Sequence, residues 1–99
     1  MDPFPSARRS EFEIMADILR LGEANLGDII LGSNLSWYLS NKYLPLLAKR
    51  GFLTITTKGR QKIYHTTKEG ETLVHRIDDV YRRLGKKRAE ENSTVASYR

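Results

Sequence analysis

SWYLSNKYLPLLAKRG, residues 36–51, runs directly into FLTITTKGRQKIYHTT, residues 52–67, and the hydrophobic period changes at the join. Ser36 offers an N-cap hydroxyl, Gly51 stands where a helix closes, and Lys49-Arg50 lie at the negative dipole end, so the first half reads as a helix, Trp37 to Arg50. On that helix Ser40, Tyr43, Leu44 and Leu47 point to one side, with Leu39 and Leu46 adjoining. Tyr38, Asn41, Lys42, Pro45 and Lys49 take the opposite arc. Pro45 has no amide for the Asn41 carbonyl, which predicts a kink. The second half alternates and is rich in β-branched residues. It reads as two strands, Phe52–Thr57 and Ile63–Thr67, around the loop Lys58-Gly59-Arg60-Gln61-Lys62. One hairpin is too little for an independent sheet, so it has to lie on the helices.

Upstream, Ser10-Glu11-Phe12-Glu13 fits a capping box and opens a first helix, closed by Gly22 and Asn25. Its apolar residues form two stripes, Ile14-Ile18-Leu21 and Phe12-Met15-Leu19, wider than one core requires, so burial on two sides is expected. Leu26 to Leu31 is a short apolar piece ending at Gly32-Ser33-Asn34. It is too short to be helical without tertiary support. Downstream, Thr67 caps a last helix on which Leu73, Ile77, Val80 and Leu84 follow one stripe, flanked by Val74 and Tyr81. That spacing is the seam of a short coiled coil. The fold class expected is mainly α with a small β-hairpin. Its parts are a domain over 8–67, a long C-terminal helix over 68–91 and a flexible tail over 92–99.

The 99 residues suit one domain. Net charge is +5, unevenly spread. Residues 1–35 hold three Arg against six Asp/Glu, a net of −3, whereas residues 36–70 hold seven Lys/Arg against one Glu, a net of +6. Residues 71–99 hold seven against five, a net of +2. So basic a central segment is the footprint expected of a polyanion partner. Helix, short helix, tight turn and helix is moreover the tri-helical arrangement of DNA-binding domains.

Catalysis finds little support. His65 and His75 are the only histidines and there is no cysteine. No carboxylates cluster to complete a metal site, and Asp78-Asp79 face different ways on a helix. No phosphate-binding glycine loop or nucleophile elbow is present. The expectation is a non-enzyme without cofactor or metal. No run reaches the ~18–20 apolar residues of a membrane span, and the N-terminus lacks a secretory layout, which points to the cytoplasm and, for a DNA binder, the nucleoid.

From Arg9 to Leu84 the chain resembles the archaeal winged helix-turn-helix regulators. It is most similar to small archaeal DNA-binding proteins that dimerise through a C-terminal antiparallel coiled coil. The likeness rests on Ile18-Leu19-Arg20, Asn34-Leu35-Ser36, Lys42-Tyr43-Leu44, Lys49-Arg50-Gly51-Phe52-Leu53 and Thr67-Lys68-Glu69-Gly70. Ser40 stands where the family usually has leucine, and Tyr38 and Leu39 where it has polar residues. Pro45 has no family counterpart. The resemblance implies a winged helix-turn-helix whose third helix enters the major groove and whose hairpin is the wing.

The expected function is therefore a homodimeric double-stranded DNA-binding protein, a transcription regulator or a chromatin-architectural protein. The candidate DNA contacts are Ser36, Tyr38, Asn41, Lys42 and Lys49 on the helix, and Lys58, Arg60 and Lys62 on the wing. Asn41 is suited to read adenine, and Lys42 to reach guanine or phosphate. The candidate dimer interface is Leu73, Ile77, Val80, Tyr81 and Leu84, to which Phe12, Met15 and Leu19 could add. Trp37, Tyr64 and Tyr81 are expected in the core rather than on bases. Arg8-Arg9 stand open between DNA backbone and solvent. The alternative is a winged-helix adaptor that binds protein and not DNA, which the apolar Tyr38, Leu39 and Pro45 favour.

Overall fold

The capping box forms as spaced: the Glu13 amide donates to Ser10 Oγ at 3.1 Å and the Ser10 amide to Glu13 Oε1 at 3.1 Å. In the computed structural model, which describes residues 9–85, this box opens α1, Glu11–Leu19. The chain continues through β1, Glu23–Asn25, α2, Leu26–Gly32, and α3, Trp37–Lys49. It ends with β2, Leu53–Lys58, β3, Gln61–Thr66, and α4, Lys68–Arg83.

The first helix does not run on to Asn25. Arg20 caps it, Gly22 turns the chain at φ +77°, and Glu23-Ala24-Asn25 becomes a strand. The hairpin is therefore two strands of a three-stranded antiparallel sheet, ordered β1-β3-β2, with Ala24 opposite Tyr64. Three residues are too few to display an alternation, and neither Glu nor Ala nor Asn favours strands, so only pairing with β3 makes this one. Asn25 starts a helix rather than stopping one: its Oδ1 accepts the Asp28 amide at 2.8 Å as the N-cap of α2.

α2 survives at seven residues because Ile29 is buried in the common core. Asn34, at φ 52°, makes the turn, and Ser36 caps α3 by accepting the Leu39 amide at 3.1 Å. Helical geometry continues through Pro45. The core joins Ile14, Ile18 and Leu19 of α1 to Tyr43, Leu44 and Leu47 of α3, with Leu53 from the sheet and Val74 from α4.

Arg9 does not face solvent or a partner. Its guanidinium is buried, pairs with Asp17, and donates at 2.8 Å to the carbonyls of both Ser33 and Asn34. It thereby ties the entry of α1 to the turn between α2 and α3. Arg8 and the tail at 92–99 lie outside the described residues.

α4 begins where Thr67 Oγ1 accepts the Gly70 amide at 3.0 Å and donates to the Gly51 carbonyl at 2.7 Å. A Cβ on Gly70 would run into the Phe52 carbonyl, which explains glycine in the first turn of this helix. The helix lies along α1, fastened by the Arg20–Asp78 ion pair and by Ser10 Oγ to Tyr81 Oη at 2.6 Å. The stripe expected for a partner is consequently split. Leu73 packs on the chain's own core and Ile77 is only 6% exposed, while Val80 and Leu84 stand 51% and 63% exposed. Ile77 is thus covered within the chain, on a helix that packs along α1. Leu84 caps α4, Gly85 follows at φ +70°, and residues 86–91 of the expected helix lie outside the described residues. No helix among the described residues is long and apolar enough to cross a membrane.

Candidate nucleic-acid interface

α3 divides as its periodicity requires. Ser40, Tyr43, Leu44 and Leu47 are buried, and Tyr38, Asn41, Lys42, Pro45 and Lys49 are exposed. Ser40 is fully buried, and its hydroxyl donates to the Ser36 carbonyl at 3.0 Å, so a polar residue sits in the core without an orphaned donor. Tyr43 anchors the same face through its hydroxyl, which donates to Glu11 Oε1 at 3.1 Å. Burial, and then Glu11, push the Tyr43 phenol above its ordinary range. The inner arc therefore fixes the roll of α3, and with it the direction of the outer arc.

On that outer arc Asn41 Nδ2 donates to the Trp37 carbonyl at 2.9 Å. Its Oδ1 and second N–H remain for another acceptor–donor pair. Lys42 Nζ lies 5.3 Å from the centre of the Tyr43 ring. Ser36, also exposed, has its hydroxyl committed to the cap. Pro45 supplies no amide to the Asn41 carbonyl, which leaves that oxygen short of its usual helical donor on an exposed surface.

The wing is tighter than its sequence suggested. The ladder closes at Lys58 opposite Gln61, leaving Gly59-Arg60 as a two-residue turn rather than a five-residue loop. Gly59 at φ +63° followed by an ordinary φ at Arg60 suits a type II′ turn. Strand alternation then separates the three cations. Lys62, opposite Thr57, shares the face of buried Leu53, whereas Lys58 lies on the other face with Thr54 and Thr56, and Arg60 is at the tip. On the face of Lys58, His65 sits between Thr56 Oγ1 at 2.9 Å and Glu23 Oε1 at 3.7 Å.

The cations of α3 and of the wing are alike in lacking acidic partners among the described residues. α3 contains no acidic residue. Among the described residues none of Lys42, Lys49, Lys58, Arg60 and Lys62 takes part in an ion pair. No group of three His, Cys, Asp or Glu side chains that could hold a metal occurs among the described residues.

The three aromatic expectations divide. Tyr64 is partly buried against the core, and Tyr81 is partly buried with its hydroxyl on Ser10. Trp37, by contrast, is 65% exposed. The helical period carried the signal: Trp37 lies one turn before Asn41, an outer-arc residue, and the general tendency of tryptophan to be buried obscured it.

A family model described as winged helix-turn-helix matches residues 8–84. Among solved structures the chain is similar to Sso10a-2, a DNA-binding protein from Sulfolobus solfataricus, at 32% identity and a TM-score of 0.72, covering 91% of this chain and 90% of that one. It shares its fold with BpsR of Bordetella bronchiseptica at 17% identity and a TM-score of 0.67, over 88% of this chain and 73% of that one. The adhesin competence repressor of Streptococcus pyogenes is alike at 18% identity and a TM-score of 0.58, over 92% and 77%. Comparison with curated protein sequences finds no match. With α3 set after a tight turn, a hairpin beside it and the family model spanning nearly all described residues, the chain belongs to the winged helix-turn-helix family.

Proposed function

We propose that this chain is a homodimeric double-stranded DNA-binding protein that acts on the nucleoid as a transcription regulator or chromatin-architectural protein. The observation that carries the reading is the set of cations on α3 and the wing, Lys42, Lys49, Lys58, Arg60 and Lys62, none of which takes part in an ion pair among the described residues. A helix of this kind enters the major groove with its outer arc, here Tyr38, Asn41, Lys42 and Lys49, with Ser36 at its cap. Asn41, with one acceptor and one donor unspent, matches the N6 and N7 edge of adenine, and Lys42 and Lys49 reach guanine or phosphate. Lys58, Arg60 and Lys62 meet the backbone, which positions the protein without reading sequence. The similarity to a protein described as DNA-binding supports the same conclusion.

Dimerisation uses the outer edge of α4. Val80 and Leu84 are exposed, and Leu73 and Tyr81 are half covered beside them. Ile77, also expected there, contributes as the buried floor of that edge. A second reading, a protein-binding adaptor, is favoured by the exposed Trp37 and Tyr38.

Anisotropy titrations of a labelled duplex over a series of salt concentrations separate the two. With five to eight phosphates neutralised per dimer, log K falls with log salt at a slope of about −4 to −7. A flat dependence, or no complex at low salt, would leave only the adaptor.

A further inference from the structure

The exposed arc of α3 is not purely polar. Trp37 and Tyr38, its first two residues, are 65% and 70% exposed, and Leu31, just before the turn, is 84% exposed. α3 buries Tyr43, Leu44 and Leu47 and leaves Leu46 38% exposed, so Trp37, Tyr38 and Leu31 are by far the most exposed of the large apolar groups around it. They adjoin the groups already assigned to bases: Trp37 is one helical turn before Asn41, and Tyr38 one turn before Lys42. The side chain of Asn41 is even fastened to the Trp37 carbonyl.

A recognition helix presents its N-terminal residues to base edges. In a stacked duplex the faces of the bases are hidden, so an aromatic ring carried into the major groove meets edges. Among the four bases, the one apolar group on those edges is the C5-methyl of thymine. We infer that Trp37 and Tyr38 form an apolar platform that packs on thymine methyl groups in the major groove, making this chain a reader of thymine-bearing duplex DNA. Asn41 and Tyr38 together then match the two halves of one adenine–thymine step, the amide taking the adenine edge and the ring the methyl group. Charge places DNA rather than protein on this platform, because it is continuous with Lys42 and Lys49 on a helix with no acidic residue. The inference rests on the DNA-binding reading above.

The test leaves the protein intact and changes the DNA. Two duplexes of identical sequence are compared, one with thymine and one with deoxyuracil, which differ only in the methyl group. Wild-type protein binds the deoxyuracil duplex more weakly, by about fourfold for each methyl group buried. The salt slope does not change, since no phosphate contact is touched. Trp37→Ala/Tyr38→Ala binds the two duplexes alike. Trp37 is the chain's one tryptophan. Its emission therefore reports the platform directly, shifting to the blue and losing acrylamide quenching on binding. Equal wild-type affinity for the two duplexes overturns the inference while leaving DNA binding in place. So does a Trp37 emission unchanged in the saturated complex, or discrimination retained by the double variant. Absence of a complex with either duplex at low salt overturns the DNA-binding reading as well.

Discussion

α3 and α4 both turn a charged face outward, but only α4 spends charge on pairs within the chain. On α4 the Asp79 carboxylate pairs with Arg82 and Arg83, and Asp78 pairs with Arg20 of α1. On α3 neither Lys42 nor Lys49 has an acidic partner, and no acidic residue stands on the helix to provide one. Counting cations alone would favour α4, with Lys68, Arg76, Arg82 and Arg83, over α3, with Lys42 and Lys49. Their partners differ: Asp78 and Asp79 of α4 are met by arginines of the chain, whereas the lysines of α3 and the cations of the wing have no acidic partner among the described residues. Apolar groups divide within each helix instead: α4 buries Val74 and Ile77 but projects Val80 and Leu84, and α3 buries Tyr43, Leu44 and Leu47 but projects Trp37 and Tyr38.

The strongest way to break this arrangement is to release α3 from the rest of the fold. Arg9→Ala removes the guanidinium that pairs with buried Asp17 and holds the Ser33 and Asn34 carbonyls. Breaking a buried pair by removing one partner costs about 3–5 kcal/mol, so chemical denaturation should show a loss of that size. A loss below about 1 kcal/mol, the range of an exposed pair, would mean that the turn before α3 is held by its own geometry.

Next in size is the contrast of charges itself. Lys58→Ala/Arg60→Ala/Lys62→Ala is expected to weaken duplex binding by about 100-fold at 0.1 M salt and to lower the salt slope by up to about 3 per wing. Arg82→Ala/Arg83→Ala, which removes two cations that share the Asp79 carboxylate on α4, should leave the slope unchanged. Equal effects of the two variants would erase the distinction between the helices.

The apolar half of the contrast is sharpened by Val80→Lys/Leu84→Lys. With both side chains exposed, the monomer fold should stay intact by circular dichroism. Sedimentation equilibrium should show dimer dissociation raised on the order of tenfold, as expected for losing partial burial of two aliphatic groups. A wild-type protein monomeric at tens of micromolar would place the dimer elsewhere or nowhere.

The smallest effect concerns the seam between α1 and α4. The hydrogen bond from Arg20, aided by its charge, holds the Asp78 carboxyl below the usual carboxylate range, against partial burial that pushes the other way. A depressed folded value stabilises the protein above the unfolded carboxylate range, near pH ~4, and the gain is lost as pH falls through the folded value. Both side chains are about a third exposed, so the contribution is under about 1 kcal/mol. Asp78→Asn should cost that much at pH 7 and nothing in strong acid, as read by thermal unfolding at the two pH values.

What could be read in advance follows from how far each signal reaches along the chain. The caps Ser10, Ser36 and Thr67 act on amides three residues away, and the inner face of α3 repeats within every turn. Residues that close in sequence meet in nearly any fold, so the sequence by itself determined the helices α1, α3 and α4, the hairpin strands, the buried and exposed arcs of α3 and the basic character of the surface. Glu23-Ala24-Asn25 became a strand only because β3, some forty residues later, offered it a free edge. Arg9 found Asp17 and the Ser33–Asn34 turn, and α4 found α1, through contacts that no local pattern encodes. Where α4 lies decided which half of its apolar stripe was left exposed, and the two-residue turn of the wing decided that Lys58 and Lys62 look in opposite directions. Periodicity states that a residue has an inner and an outer side, but what stands on each side is supplied by chain that is remote in sequence and adjacent in space.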